Sequence, residues 1–173
     1  MTCSLSPAAN PRPSSRPSIK VDPALLQRLR EESGLRLDRA GNFWHRGTPV
    51  THARTVAVLH QGIHRAPDGR WATRIGREWA YLEVEDTALF VRRIDGRRAQ
   101  LASGEWAEIE SLALGADDAL YARIGAERAR LTRAAQLSLS DKLREDSPGN
   151  FSVELDGSGF SVGRDPGPDP VKT

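Results

Sequence analysis

Two histidines four residues apart have the spacing in this chain best suited to metal chemistry. His60 and His64 fall in the segment 51–64, where apolar residues recur at helical spacing. Residues four apart share one face of a helix, so two imidazoles there could bind one metal ion. A metal-dependent hydrolase is therefore one alternative function. However, no His-Glu-x-x-His motif is present, so the favoured interpretation is an ordinary amphipathic helix with no metal site.

A second candidate site is the stretch RRIDGRR, which places four arginines around the predicted hairpin turn Asp95-Gly96. These residues are Arg92, Arg93, Arg97 and Arg98. A cationic face of this kind can bind phosphates, and Trp71 or Trp79 could stack on a base, so nucleic-acid binding is another alternative function. The competing interpretation is that arginine is simply the solvating residue of this chain, which has twenty-two Arg and three Lys.

A third candidate lies where strand-like and helix-like patterns meet, in NFWHRGTPVTHA. Thr51 is predicted to cap a helix there, and His52 falls on its apolar stripe, where a similar later segment has Arg133. We predict a ligand-binding site formed by His52, Glu83, Arg133 and the four hairpin arginines. No catalytic residues are assigned, because neither a nucleophile elbow nor a glycine pattern for phosphate binding is present.

The elements that position these residues alternate between periods of two and 3.6 residues. The segment VDPALLQRLREESG predicts a helix, with Asp22 as its cap, Pro23 at its first position and Gly34 after its end. Leu35 to His45 predicts a hairpin, a helix follows from Thr51 to about His64, and a second hairpin follows. This is a hairpin-helix-hairpin unit.

The later part of the chain repeats the same order. Strands are predicted at Leu89–Ile94, Arg97–Leu101 and Trp106–Glu110, then two strands around GAE, a helix from about Thr132 to Arg144, and a last hairpin. VTHARTVAV from Val50 aligns with LTRAAQLSL from Leu131, which indicates an internal duplication.

Composition limits the remaining choices. The first twenty residues and the last ten are rich in Pro, Ser and Gly and are predicted to be disordered tails. The only Cys is Cys3, which leaves no disulfide or Cys-based metal site in the folded part. No apolar run approaches the length of a membrane span, so no membrane insertion and a cytoplasmic location are expected. Residues 35–100 carry twelve Arg against seven acidic residues, whereas residues 101–163 carry six basic and eleven acidic residues. This uneven charge indicates an acidic partner or two lobes that attract one another.

The sequence also resembles a known bacterial family. LDRAGNFWHRGTPVTHARTVAVL, PDGRWATRI and YLEVEDTALFV, followed by ALYARIGAERARLTRAAQLSLSDKL and GNFSVELDGSGFSVG, are similar to domain-of-unknown-function family 1285. The resemblance covers residues 35–163 and implies a duplicated α+β body, with a second half that resembles the pleckstrin-homology fold. It further implies a role in signalling, with a ligand or partner at the junction of the two halves. This chain has His52 where that family usually has Arg, and Ala88 where it has Pro.

Together these patterns predict one two-lobed α+β protein. Its parts are a tail at 1–20, a docked helix at 21–34, a first lobe at 35–94, a second lobe at 95–163 and a tail at 164–173. The predicted function is a non-enzymatic binding or regulatory module that holds a protein or a small polar ligand between its lobes. No cofactor is expected, and the sequence does not specify an oligomeric state.

Overall fold

The structure is a computed structural model that describes residues 23–148 and 150–167. It is a mixed α+β fold made mostly of strands. The helices are α1 Pro23–Glu31, α2 Ala53–Gln61 and α3 Arg133–Leu137, and a 3-10 helix spans Ser140–Lys142. The predicted tail at 1–20 and the predicted cap Asp22 lie outside the described residues.

Sixteen strands are described. They are β1 Leu35–Leu37, β2 Phe43–His45, β3 Thr48–Pro49, β4 Ile63–Arg65, β5 Trp71–Ile75, β6 Glu78–Tyr81, β7 Glu83–Val84, β8 Leu89–Asp95, β9 Arg98–Leu101, β10 Trp106–Glu108, β11 Ser111–Leu114, β12 Leu120–Ile124, β13 Glu127–Leu131, β14 Leu143–Ser147, β15 Asn150–Leu155 and β16 Ser158–Arg164.

The strands form three sheets. The first part of the chain makes a four-stranded sheet of order β3-β2-β1-β7 and a three-stranded sheet of order β4-β5-β6. The second part makes one curled nine-stranded sheet of order β10-β9-β8-β13-β12-β11-β16-β15-β14. Three pairings in these sheets are parallel and connect distant strands: β1 with β7, β8 with β13, and β11 with β16.

The fold has two apolar cores. In the first, Leu37 and Phe43 from the β1–β2 hairpin are completely buried beside Leu59 of α2. In the second, Val91, Leu112 and Val153 are among the buried residues that line the inside of the nine-stranded sheet. Strand β8 contributes to both cores, since Phe90 lies in the first and the adjacent Val91 in the second. Successive side chains of a strand point to opposite faces, so β8 can pack on both sides.

The boundaries of these parts differ from the predicted ones at two places. Strand β8 pairs within the nine-stranded sheet, so the predicted division between residues 94 and 95 falls at the end of that strand. Strand β16 runs through Arg164, and the amide of Asp165 donates to the carbonyl of Leu114 at 2.9 Å. The ordered body therefore extends past residue 163.

Helix α2 is shorter than predicted and ends at Gln61 rather than near His64. Gly62 follows it, and a Cβ placed on Gly62 would lie 2.1 Å from the carbonyl oxygen of Arg74 in β5. The backbone there lies directly against the neighbouring strand, so the chain leaves the helix and continues as β4. The cap also differs, because the side chain of His52, and not that of Thr51, accepts the hydrogen bond from the amide of Thr55.

The second predicted helix, Thr132 to Arg144, is also too long. Helix α3 covers only Arg133–Leu137, with Thr132 as its cap. The hydroxyl groups of Ser138 and Ser140 donate to the carbonyls of Ala135 and Leu137, each at 2.7 Å. Serine hydroxyls that bond to nearby backbone compete with helix formation. The chain then leaves the helix and forms β14.

Helix α1 lies on strand β6. The guanidinium of Arg30 lies 4.3 Å from the ring centre of Trp79, and the hydroxyl of Ser33 donates to the carbonyl of Tyr81 at 2.8 Å. Leu25, Leu26 and Leu29, which helical spacing would place on one apolar face of this helix, lie outside the described side chains. No helix among the described residues is both long and apolar enough to cross a membrane.

Candidate functional site

The prediction that His60 and His64 lie on one face of the same helix is wrong, because α2 ends at Gln61. His64 lies in β4, where its ring nitrogen contacts the carbonyl of Gly62 at 2.8 Å. His60 is buried in α2, and its ring centre lies 4.8 Å from that of Phe43. Burial and the nearby positive charge of Arg92 lower the pKa of His60 to about 4. Across residues 23–148 and 150–167, no group of three or more His, Cys, Asp or Glu residues could hold a metal ion.

The predicted ligand residues lie on different elements. His52 caps α2, Glu83 lies exposed in β7, and Arg133 is the first residue of α3 in the second lobe. Within the described part of the chain, no hydrogen bond or ion pair joins these three side chains. His52 is accounted for by its capping hydrogen bond. Arg133 is the member of this set that lines a cavity.

The arginine hairpin is formed by β8 and β9, with its turn at Asp95 and Gly96. The carboxylate of Asp156 accepts a hydrogen bond from the backbone amide of Arg97 at 3.1 Å. The Arg97 guanidinium lies 4.8 Å from the ring centre of Phe160. The Arg98 guanidinium lies over the ring of Trp106 at 5.7 Å. Arg92 and Arg93 are exposed and, among the described residues, make no ion pair.

All four tryptophans lie beneath an arginine guanidinium. Arg36 covers Trp44, Arg65 covers Trp71 at 3.8 Å from its ring centre, Arg30 covers Trp79 at 4.3 Å and Arg98 covers Trp106. Such pairs are stabilised by attraction between the cation and the negative face of the ring. Trp71 and Trp79, which were considered as stacking platforms for a base, each have one face occupied in this way.

An apolar concave site lies between α3, the 3-10 helix and the nine-stranded sheet. Its volume is about 290 Å³. Its lining is mostly apolar, with Leu114, Leu120, Leu137, Leu139, Leu143, Phe151 and Val162 as the apolar residues. Ligand sites in proteins are typically apolar concavities with a few placed polar groups, and this cavity is at the small end of their range. We call it the α3 cavity.

Two exposed leucines open onto the α3 cavity. Leu137 is 55% exposed and Leu143 is 38% exposed, and only Ile75 and Trp106 are other large apolar residues with comparable exposure in the described chain. An apolar side chain left in water at the mouth of a cavity favours a binding role, because a ligand there would remove apolar surface from water.

The polar groups of the α3 cavity are Asp118, Arg133, Gln136 and Ser140. The Gln136 side-chain amide donates to the backbone carbonyl of Asp118 at 2.9 Å and so ties α3 to the β11–β12 turn. Asp118 has a positive φ of 60°. Sequence analysis found Arg133 but missed Asp118 and the leucines, because the cavity depends on α3 ending at Leu137. The sequence GADD, with Gly115 followed by the adjacent pair Asp117-Asp118, is typical of a turn and was the signal available.

A separate cluster of charged residues joins the segment that follows β7 to strand β13. Asp86 follows β7, and its carboxylate accepts hydrogen bonds from Tyr121 at 2.8 Å and from Arg130 at 3.0 Å, and it also pairs with Arg128. Arg128 pairs in addition with Asp165. Burial and the hydrogen bond to Asp86 raise the pKa of Tyr121 to about 12. We call this set the junction cluster.

The charged side chains of the junction cluster are all engaged in ion pairs. Asp117 pairs with the second guanidinium nitrogen of Arg130 at 2.8 Å, and this contact lowers the pKa of the Asp117 carboxyl. Arg128, Asp86 and Asp165 have side chains no more than 15% exposed. Each arginine therefore has two carboxylate partners, and the cluster is best explained as a structural contact.

The described residues define a class of protein: a mixed α+β fold made mostly of strands, with an apolar cavity beside α3. Comparison with solved structures identifies the fold. A DUF1285 family protein from Silicibacter pomeroyi DSS-3 is similar to this chain with a TM-score of 0.56 and 20% identity, over 78% of this chain and 81% of that one. The chain thus has the fold of a DUF1285 family protein, which confirms the resemblance to that family at the level of the fold.

A second similar structure is a DUF1285 family protein from Shewanella baltica OS155. It has 15% identity and a TM-score of 0.48 over 63% of this chain and 91% of that one. No family model and no curated protein matches the sequence.

Proposed function

We propose that this protein is a non-enzymatic binding or regulatory module, related to the DUF1285 family, that holds a small ligand in the α3 cavity. The observation that carries the proposal is the cavity itself, an apolar concavity of about 290 Å³ with Arg133 among its lining residues. The lobe junction, which the sequence favoured as the binding place, is filled by the paired charges of the junction cluster. The second lobe is therefore the better location.

The regulatory part of the proposal follows from what the ligand would cover. Leu137 and Leu143 are exposed at the mouth of the α3 cavity, so a bound ligand would change the apolar surface that the protein presents. A partner protein can then bind the ligand-bound form and the empty form with different affinities. A role in signalling and a cytoplasmic location, both expected from the sequence, are kept as parts of the same proposal.

An internal duplication is also part of the proposal, and the order of elements supports it. A three-stranded meander, a helix and a second three-stranded meander occur in both halves, as β1-β2-β3, α2, β4-β5-β6 and as β11-β12-β13, α3, β14-β15-β16. In each half a closing segment pairs in parallel with the first strand of that half, β7 with β1 and β16 with β11. The pleckstrin-homology-like character of the second half stays a proposal from the sequence resemblance.

The proposal is tested with anilinonaphthalene sulfonate, an anionic dye whose fluorescence rises when it enters an apolar site. We expect a saturable fluorescence increase with the folded protein. Leu137→Glu and Leu143→Glu place a charge at the cavity mouth, and each should lower the affinity for the dye at least about tenfold. Ile75→Glu is the matched control, because Ile75 is equally exposed but lies in β5 of the first lobe. Absence of a fluorescence rise, or equal loss in all three variants, would contradict the proposal.

A second candidate function is nucleic-acid binding by the β8–β9 hairpin. The observation that favours it is the exposure of Arg92 and Arg93 without an ion pair to any described residue. Replacing both with Glu should abolish binding of an RNA or DNA oligonucleotide in an anisotropy titration, and the affinity of the parent should fall with added salt. No binding by the parent protein removes this candidate.

A further inference from the structure

The lining of the α3 cavity combines charged and apolar side chains. Arg133 and Gln136 lie in α3 and Asp118 lies in the β11–β12 turn, and the hydrogen bond from Gln136 to the Asp118 carbonyl brings the helix and the turn together. The other lining residues are apolar apart from Ser140. A molecule that fills this cavity needs both charged and apolar groups, because a charged group placed against the leucines would lose its solvation without gaining a partner.

The lining of the α3 cavity carries one positive and one negative side chain. Arg133 and Asp118 both line the cavity, but they do not form an ion pair with each other or with another described residue. By contrast, Arg130 and Asp117, which lie close to them in sequence, form an ion pair with each other at 2.8 Å. Two opposite charges that face one cavity without neutralising each other are complementary to a ligand that also carries both signs.

The helix and the turn that carry the two charges are held together. The hydrogen bond from Gln136 to the Asp118 carbonyl joins the helix to the turn, and the amide of Asp118 donates to the carbonyl of Gly115 at 3.2 Å. The left-handed conformation of Asp118, at φ 60°, is one that Asp and Asn adopt more readily than other side chains. The turn thus holds a carboxylate at the cavity where most residue types would be strained.

From this geometry we propose that the α3 cavity binds an amphipathic zwitterion, namely a free α-amino acid with a large apolar side chain. The ligand carboxylate pairs with Arg133, its ammonium group pairs with Asp118, and its side chain lies among the leucines, Phe151 and Val162. This inference rests on the proposed function and specifies its ligand. A simple carboxylate would bring its charge towards Asp118 unpaired, and a simple amine would do the same with Arg133, so both should bind less well.

The test compares three probes of nearly equal size by calorimetry or by methyl chemical shifts. L-leucine carries both charges, isocaproate lacks the amino group of leucine, and isoamylamine lacks its carboxylate. We expect L-leucine and L-phenylalanine to bind about tenfold more tightly than either single-charge probe. If isocaproate or isoamylamine binds as tightly as leucine, the zwitterion assignment is overturned.

Two substitutions test which side chain pairs with each charge of the ligand. Asp118→Asn keeps the turn conformation and removes the negative charge, so it should weaken leucine and leave isocaproate unchanged or improve it. Arg133→Gln should weaken leucine and isocaproate and leave isoamylamine unchanged or improve it. Equal effects of a variant on all three probes would overturn the assigned pairing.

The dye experiment separates this inference from the function on which it rests. If the dye enters the cavity and leucine does not compete with it, the α3 cavity is a binding site but not one for apolar amino acids. If neither the dye nor any of the three probes binds, both proposals fail. Competition between leucine and the dye supports both.

Discussion

His60 is a base that the fold keeps uncharged. Its ring lies between Phe43 and Phe90, and burial together with the positive charge of Arg92 lowers its pKa from the usual 6.5 to about 4. As the pH falls, the unfolded chain therefore takes up this proton before the folded protein does. The stability that neutral His60 contributes is complete above about pH 6.5 and is lost as the pH falls through about 4.

This shift predicts a measurable loss of stability in acid. Between about pH 7 and about pH 4.5, the free energy of unfolding should fall by roughly 2 to 3 kcal/mol more in the parent than in His60→Gln, since one pKa unit corresponds to about 1.4 kcal/mol. Urea unfolding at the two pH values measures the difference. His64→Gln is the control and should behave like the parent. Parallel pH dependences for the parent and His60→Gln would show that the buried imidazole is not the responsible group.

The residues of the candidate sites show what the sequence could predict and what it could not. Arg133 was identified from its place in the repeated pattern, and it lines the α3 cavity. The pairing of His60 with His64 failed because it assumed that a helix continued through Gly62. The contacts of Asp86 with Arg128 and of Gln136 with Asp118 join parts of the chain that are distant in sequence, and no local pattern encodes them.

At the scale of elements, local signals predicted the hairpins well. The β1–β2, β5–β6, β8–β9 and β15–β16 hairpins were expected from alternating residues around Gly-containing turns, and all four form. Helix lengths were predicted less well, because tertiary contacts end α2 and serine side chains end α3. The parallel pairings of β1 with β7 and β11 with β16 join strands far apart in sequence, and a hydrophobic pattern does not specify such partners.

The end of α2 gives a prediction at this scale. A methyl group on Gly62 would meet the backbone of Arg74 at 2.1 Å, and backbone in a paired strand cannot move aside easily. Gly62→Ala should therefore lower the free energy of unfolding by about 3 kcal/mol. Gly159→Ala is the matched control, because Gly159 has open space around it and no positive φ. Equal stability of the two variants in denaturant unfolding would refute the close approach of α2 and β5.

At the scale of the whole molecule, the junction cluster joins distant parts of the chain. Asp86 follows β7, and its carboxylate holds Arg128 and Arg130 of β13. The hydroxyl of Thr87 donates to the carbonyl of Arg128 beside them. The position of β13 against this segment therefore depends in part on these buried charges.

Removing one of those charges should lower the stability of the whole fold. Asp86→Asn removes the carboxylate shared by Arg128 and Arg130, which keep Asp165 and Asp117 as partners, and should cost about 2 kcal/mol of stability. Glu85→Gln, next to it in sequence, breaks only the more exposed pair with Arg36 and should cost less than about 1 kcal/mol. Calorimetry with equal effects of the two substitutions would contradict the junction role.

The central claim is that the α3 cavity, rather than the lobe junction or the arginine hairpin, is the place where this protein holds its ligand. Nuclear Overhauser effects between bound anilinonaphthalene sulfonate and methyl-labelled protein test this directly. We predict contacts from the dye protons to the methyl groups of Leu114, Leu137 and Leu143, which line the cavity. Contacts confined to Ile94 of the hairpin or to Val84 beside the junction would contradict the account.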